Sequence, residues 1–139
     1  MLTRPQIQAR IPHGGRMCLL DAVQSWNATT IVCQAAAPTA AHPLARGTGV
    51  PAVAAVEYAA QAAAVHGALL DDADTPRDGL LAKLTEVELC DTPFDETGGM
   101  LTVTAELLSR VESGCMYRFE VRNERACLAR GRLLVAFPS

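Results

Sequence analysis

PAVAAVEYAAQAAAVHGALLDD, residues 51–72, decides the fold. The stretch is rich in alanine, with one internal glycine and no internal proline. Pro51 suits the first helical position, where its fixed φ fits and its missing N–H is not needed. So long an unbroken run predicts one long helix, ended by Asp71-Asp72-Ala73-Asp74-Thr75-Pro76. Its surface is small and apolar nearly all round, as in a helix that the rest of the chain encloses.

Working outward, both flanks read as strands. On the N-terminal side, IPHGGR (11–16) is a loop, and Met17–Trp26 and Thr30–Ala36 carry the apolar runs of two strands. A loop with two prolines and two glycines covers Pro38–Gly49. On the C-terminal side, Gly79–Cys90 is a mixed apolar strand. Leu101, Val103, Ala105 and Leu107 alternate with polar residues, as do Tyr117, Phe119 and Val121. A last strand runs from Ala126 to Phe137. Thr92-Pro93, Gly98-Gly99, Ser113-Gly114 and Asn123-Glu124 mark turns. The order β-β-α-β-β-β-β gives an α+β protein, a curled antiparallel sheet of about six strands around one long central helix. With 139 residues and no composition break, the chain reads as a single domain, 1–139. Such a sheet keeps open edges, and pairing two copies edge to edge is a natural way to close them.

Composition narrows the function classes. Half the residues are apolar, enough for a real core, and the net charge of −3 argues against a nucleic-acid binder. No stretch reads as the roughly 20 apolar residues needed to span a bilayer, and MLTRPQIQAR (1–10) lacks a secretion signal. A cytoplasmic protein is expected. Nine of the fifteen acids lie between Asp71 and Glu96, and six of the eleven arginines between Arg110 and Arg132. The arginine-rich strands are either a solvated face or a docking surface for an acidic partner. Cys18, Cys33, Cys90, Cys115 and Cys127 are odd in number and never paired as C-x-x-C, so neither a disulfide framework nor a metal site is expected.

Two residues carry possible chemistry. Glu57 shares a helix stripe with Val53, Ala64 and Ala68, and Gln61 stands one turn on. A carboxyl on an apolar stripe is costly when ionised, and desolvation favours the protonated form suited to a general acid. Alternatively, Glu57 is a structural carboxylate satisfied by Gln61 or Tyr58. His42 precedes Pro43, which pushes its backbone toward an extended form and presents the ring stiffly, one short loop before the helix that bears Glu57. It also reads as a solvated loop histidine. His13 and His66 have no evident partner and are taken as structural. At the helix start, the N–H groups of Ala52 and Val53 lack acceptors within the helix and suit a thioester oxygen that gains negative charge. Gly47-Thr48-Gly49-Val50-Pro51-Ala52 matches a dinucleotide fingerprint, but no strand precedes it and one helix cannot build a doubly wound sheet. No G-x-S-x-G or P-loop is present.

These residues have a family likeness. IPHGGRMCLLDAV (11–23) resembles the IPHR-x-P-x-x-L-x-D segment of the FabZ-type dehydratases of fatty acid synthesis. His42-Pro43 followed by PAVAAVEYAAQAAA resembles their histidine loop and their P-G-V-x-x-x-E-x-x-A-Q helix. The likeness runs from about Ile11 to Leu70 and looks closest to hotdog-fold proteins of aryl-polyene-type pathways, predicted 3-hydroxyacyl-[acyl-carrier-protein] dehydratases. It implies a hotdog fold and a dimer whose histidine and acid come from different subunits. His42 would take the C2 proton of the acyl thioester and Glu57 would protonate the departing 3-hydroxyl. The Ala52 N–H, with Val53 beside it, would hold the thioester carbonyl, and Gln61 would orient the acid. No metal or redox cofactor is implied, since the substrate rides on the phosphopantetheine of acyl carrier protein. The family's Gly-His-Phe-Pro is here Ala41-His42-Pro43-Leu44, and its helix-start glycine is Ala52. Two other readings stand beside the dehydratase: a non-catalytic or half-catalytic subunit paired with another hotdog protein, and a hotdog acyl-thioesterase in which Glu57 directs water.

Overall fold

The computed structural model describes residues 1–10, 18–39, 41–45, 50–71, 80–90 and 96–137. The strand alternation seen in the sequence closes into one antiparallel sheet: β1 (Leu2–Thr3), β2 (Ala22–Trp26), β3 (Thr30–Ala35), β4 (Leu80–Leu89), β5 (Leu101–Val111), β6 (Gly114–Arg122) and β7 (Cys127–Ala136). Their order across the sheet is β1-β2-β3-β5-β6-β7-β4. The six expected strands are present, and the seventh is the two-residue β1, too short to leave a pattern. A short helix α1 (Arg4–Gln8) follows it, with Pro5 in its first turn and Thr3 and Gln6 forming a reciprocal capping box.

The long helix α2 (Ala55–Asp71) lies against the inner face of the sheet. Pro51 does not open it as expected. Its ψ of 143° is extended, and it caps a 3-10 turn, Ala52–Ala54, that feeds into α2. Alanine at positions 55, 59, 62 and 63, all buried, keeps the helix slim, so the sheet can curl closely around it. The facing residues are Val23, Ile31, Cys33, Leu101, Val103, Ala105, Phe119, Val121 and Leu133, every one buried.

The helix corrects one expectation. Within the 20 residues Ala52–Asp71, an 18-residue window has a mean hydropathy of 1.3, long and apolar enough to cross a membrane by length and composition. Sixty-one per cent of that stretch is buried within the protein, so it is the core helix of this fold. The strand expected over Met17–Trp26 is also shorter. Only Ala22–Trp26 pairs as a strand; Cys18–Asp21 is an irregular segment. Asp21 anchors that segment by accepting from Ala36 N–H at 2.6 Å and pairing with Arg4 at 3.0 Å. The loop Ile11–Met17, with His13, lies outside the described residues, as do Thr92-Pro93 and Gly47–Gly49.

The outer sheet face answers the question of the arginine strands. Arg118 pairs with Glu106 at 2.9 Å, Arg130 with Glu88 at 2.7 Å, Arg132 with Glu86 at 3.1 Å and Arg122 with Glu120 at 3.7 Å. Arg110 pairs with Asp71 at the end of α2. Five of the six arginines between Arg110 and Arg132 are therefore matched by nearby carboxylates, which form a largely solvated ladder of ion pairs. Around these pairs lies an open depression of about 830 Å³, floored by Phe119, Gly131 and Val87. Gly131 is needed there: a Cβ would stand 3.0 Å from the Val87 backbone, where β4 bulges between Thr85 and Glu88.

Candidate active site

The site residues named from sequence gather around the first turns of α2, on the inner side of the sheet. His42 lies in a hydrogen-bonded turn and not in an extended run. Its N–H donates to Thr39 O at 2.9 Å, and its carbonyl accepts from Ala45 N–H at 3.0 Å. The turn's stiffness thus comes from its own backbone bonds as much as from Pro43. Both ring nitrogens are engaged. Leu44 N–H donates to Nδ1 at 2.9 Å, and Nε2 lies 2.8 Å from the Tyr58 hydroxyl. Burial lowers the basicity of this half-buried ring below the ordinary histidine range.

Tyr58 is the partner that sequence reasoning missed. It is 1% exposed and directly follows Glu57 in α2, so it ties the His42 turn to the helix at the position of the acid. Burial pushes its phenol well above the usual tyrosine range, with Asp21 adding to the effect. The available signal was a hydroxyl within an otherwise alanine-rich helix, since a buried tyrosine O–H requires a partner.

Glu57 stands in the first turn of α2, where a carboxylate complements the helix dipole. It is half-buried, not sunk as its apolar stripe suggests, because that stripe is itself partly uncovered: Val53 is 59% exposed and Ala64 is half-buried. Gln61, 1% exposed, donates from Nε2 to Glu57 Oε1 at 3.2 Å and accepts Leu19 N–H on Oε1 at 2.8 Å. The amide thus links the acid to the segment before β2. Ala52 and Val53 occupy the 3-10 turn, and the carbonyls of Pro51, Ala52 and Val53 accept from Ala54 and Ala55. The N–H groups of Ala52 and Val53 precede that ladder and take acceptors, if any, from outside it.

His66 belongs to a different cluster, as its position opposite Glu57 implied. It is fully buried, with Nδ1 2.7 Å from the Tyr117 hydroxyl and Nε2 2.8 Å from Asn27 O. A carbonyl can only accept, so Nε2 carries the proton and Nδ1 accepts from Tyr117. Asn27 also folds the β2–β3 turn, its Oδ1 accepting from Thr29 and Thr30 N–H at 2.9 Å each. This cluster braces the sheet against the helix. Cys18, Cys33 and Cys115 are buried free thiols, and burial alone pushes Cys33 up to about 12.

A slim core helix enclosed by a curled antiparallel sheet, with a turn histidine and a helix carboxylate at the helix start, defines a hotdog-fold protein. Solved structures of similar architecture agree. The dehydratase heterocomplex ApeI:P from Xenorhabdus doucetiae matches with a TM-score of 0.83 at 23% identity, over 96% of this chain and 91% of that one. A thioesterase from Staphylococcus aureus matches with a TM-score of 0.63 at 16% identity, over 84% and 93%. A hypothetical thioesterase from Streptococcus pneumoniae, solved with coenzyme A, gives 0.63 at 11% identity, over 85% of each chain. No curated protein matches. The ApeP-like family, described as ApeP dehydratase, matches residues 5–139, and the chain belongs to that family.

Proposed function

We propose that the chain dehydrates 3-hydroxyacyl thioesters carried on acyl carrier protein, in the cytoplasm, giving the trans-2-enoyl product by acid–base chemistry of His42 and Glu57. What supports this reading is that each group is held in a defined pose, to meet, as the family likeness implies, the opposite group of a second subunit. His42 is tied to Tyr58, the residue after Glu57, and Glu57 is held by Gln61. His42 of one subunit takes the C2 proton, and Glu57 of the other, in its protonated form, delivers a proton to the 3-hydroxyl as it leaves as water. A base must be neutral to act, and burial keeps His42 so near neutral pH. The Ala52 and Val53 N–H groups suit the thioester oxygen, which gains negative charge as C2 loses its proton. This chemistry calls for no metal or redox cofactor.

A second reading has this chain as one half of a two-subunit dehydratase that supplies only one of the two groups. It is favoured by a specific relative, because the structure matching at 0.83 is a heterocomplex. Strand β4 lies at the sheet edge with one side unpaired within the described chain, which offers a partner hotdog subunit, identical or not, a strand to pair with.

Both readings are tested by incubating 3-hydroxyacyl-ACP with the protein, alone and with a co-purified hotdog partner, and following enoyl formation by mass. Turnover by the chain alone that is lost in His42→Ala and in Glu57→Gln, with assembly intact, supports the first reading. Turnover only with the partner supports the second. Release of free acid in place of enoyl product would instead mark a thioesterase. Normal dehydration by either variant removes that residue from the mechanism.

A further inference from the structure

The geometry points to Nδ1 of His42 as the nitrogen that acts as base, with Tyr58 as the positioning residue that receives the proton-bearing Nε2 and aims the ring. This deepens the reading of His42 as the base and rests on it. A neutral imidazole has one N–H and one lone pair, and the contacts of a buried ring decide which nitrogen has which. Leu44 N–H can only donate, and it points at Nδ1 from 2.9 Å. Nδ1 therefore carries the lone pair and Nε2 the proton. Nε2–H then donates to the Tyr58 oxygen at 2.8 Å. The opposite tautomer would set two N–H groups against each other at Nδ1.

Two consequences follow for the reaction. When Nδ1 accepts the C2 proton, the ring becomes an imidazolium whose second N–H already faces an oxygen. Tyr58 thus does for His42 part of what the third member of a catalytic triad does for its histidine: it fixes the ring's orientation and stabilises the charged form, while the Leu44 N–H sets the tautomer. The phenol remains protonated throughout, since burial raises it, so it neither takes the proton nor leaves the helix. The protons balance: C2 loses one to Nδ1, Nε2 keeps its own, Glu57 gives its proton to the departing hydroxyl, and proton exchange with solvent then returns the imidazolium to neutral and Glu57 to its acid form. At rest, the Leu44 N–H shields the base nitrogen. Taking up a proton breaks that contact, so the turn at His42–Ala45 must open slightly as the substrate arrives.

Tautomer and turnover can be read separately. In the intact protein labelled with 15N-histidine, the His42 signals, assigned by their loss in His42→Ala, should show a protonated Nε2 and a bare Nδ1. A protonated Nδ1 in the neutral ring overturns the assignment, whatever the variants do. In Tyr58→Phe, with fold and assembly verified, the tautomer set by the Leu44 N–H should be kept while kcat drops about 10- to 100-fold. KM should hold, and the acid limb of kcat/KM should move to lower pH, because the imidazolium has lost its acceptor. A Tyr58→Phe enzyme with wild-type kcat and pH profile, while His42→Ala is inactive, defeats the positioning role and leaves the site intact. Normal turnover in His42→Ala defeats the site itself.

Discussion

Gln61 Nε2 donates to the Glu57 carboxylate at 3.2 Å, one helical turn away, while its Oε1 accepts the Leu19 N–H at 2.8 Å. One buried amide therefore satisfies a backbone donor and aims an acid. Gln61→Ala removes both contacts and leaves the Leu19 N–H buried without its acceptor. The expected cost is about 1–3 kcal/mol of stability, read as a lower urea midpoint at unchanged slope. Dehydration should weaken as well. Gln61→Glu, which keeps an acceptor for Leu19 but sets a second carboxyl against Glu57, should recover part of the stability and little of the turnover.

The buried histidine cluster predicts a pH dependence. Burial holds His66 below its ordinary 6.5, with Arg110 adding to the effect and the Asn27 carbonyl opposing it. Unfolded, the same imidazole takes up a proton near 6.5, so the unfolded chain binds more protons below that pH. Stability from keeping His66 neutral is complete above 6.5 and is lost as pH falls toward and through the folded value. His42 shifts in the same direction. Urea midpoints should therefore fall on acidification below 6.5, and His66→Gln should flatten only part of the slope. Identical slopes in the two proteins would show that His66 does not contribute.

The ion-pair ladder predicts little. Arg118 and Glu106 are 55% and 47% exposed at their side chains, and such pairs contribute about 0–1 kcal/mol. Arg118→Ala should leave the denaturation midpoint nearly unchanged, and adding salt should narrow the remaining difference. KM for a carrier-bound substrate should also stay within about twofold, because each positive charge here already has a nearby carboxylate. A large rise in KM would restore this face as a docking surface.

The free side of β4 predicts an assembly. Leu84 and Leu89 on this edge strand are 39% and 41% exposed. Leu84→Lys combined with Leu89→Lys should release monomers, seen by light scattering, while the far-ultraviolet spectrum stays unchanged. An unaltered assembly would place the interface elsewhere.

Much of this architecture was legible because its signals are local. Alternation in Leu101–Leu107 and Tyr117–Val121 marks strands by period, and the alanine run at 52–68 marks a helix with no exposed apolar face to spare. What escaped depends on distance. Two residues of β1 carry no period. The truncated strand before Ala22 is held by Arg4 and Asp21, and no window of sequence joins them. Pro51 suggested a helical first turn, but with a ψ of 143° it caps a 3-10 turn ahead of the helix. At the site, His42, Glu57 and Gln61 stood out by residue type and spacing, whereas Tyr58 suggested only a partner for Glu57 and not one for His42. Its role appears only when the turn folds back and brings an imidazole within 2.8 Å.

The order of the elements has a consequence for biosynthesis. Strands β5, β6 and β7, which cover much of α2, all follow it in the chain. On the ribosome the greasy helix is therefore made well before its covering, at a time when it has the length and hydropathy of a membrane anchor. Nascent chains stalled far enough beyond Asp71 for the helix to clear the exit tunnel would present that segment to chaperones and to insertion machinery alike.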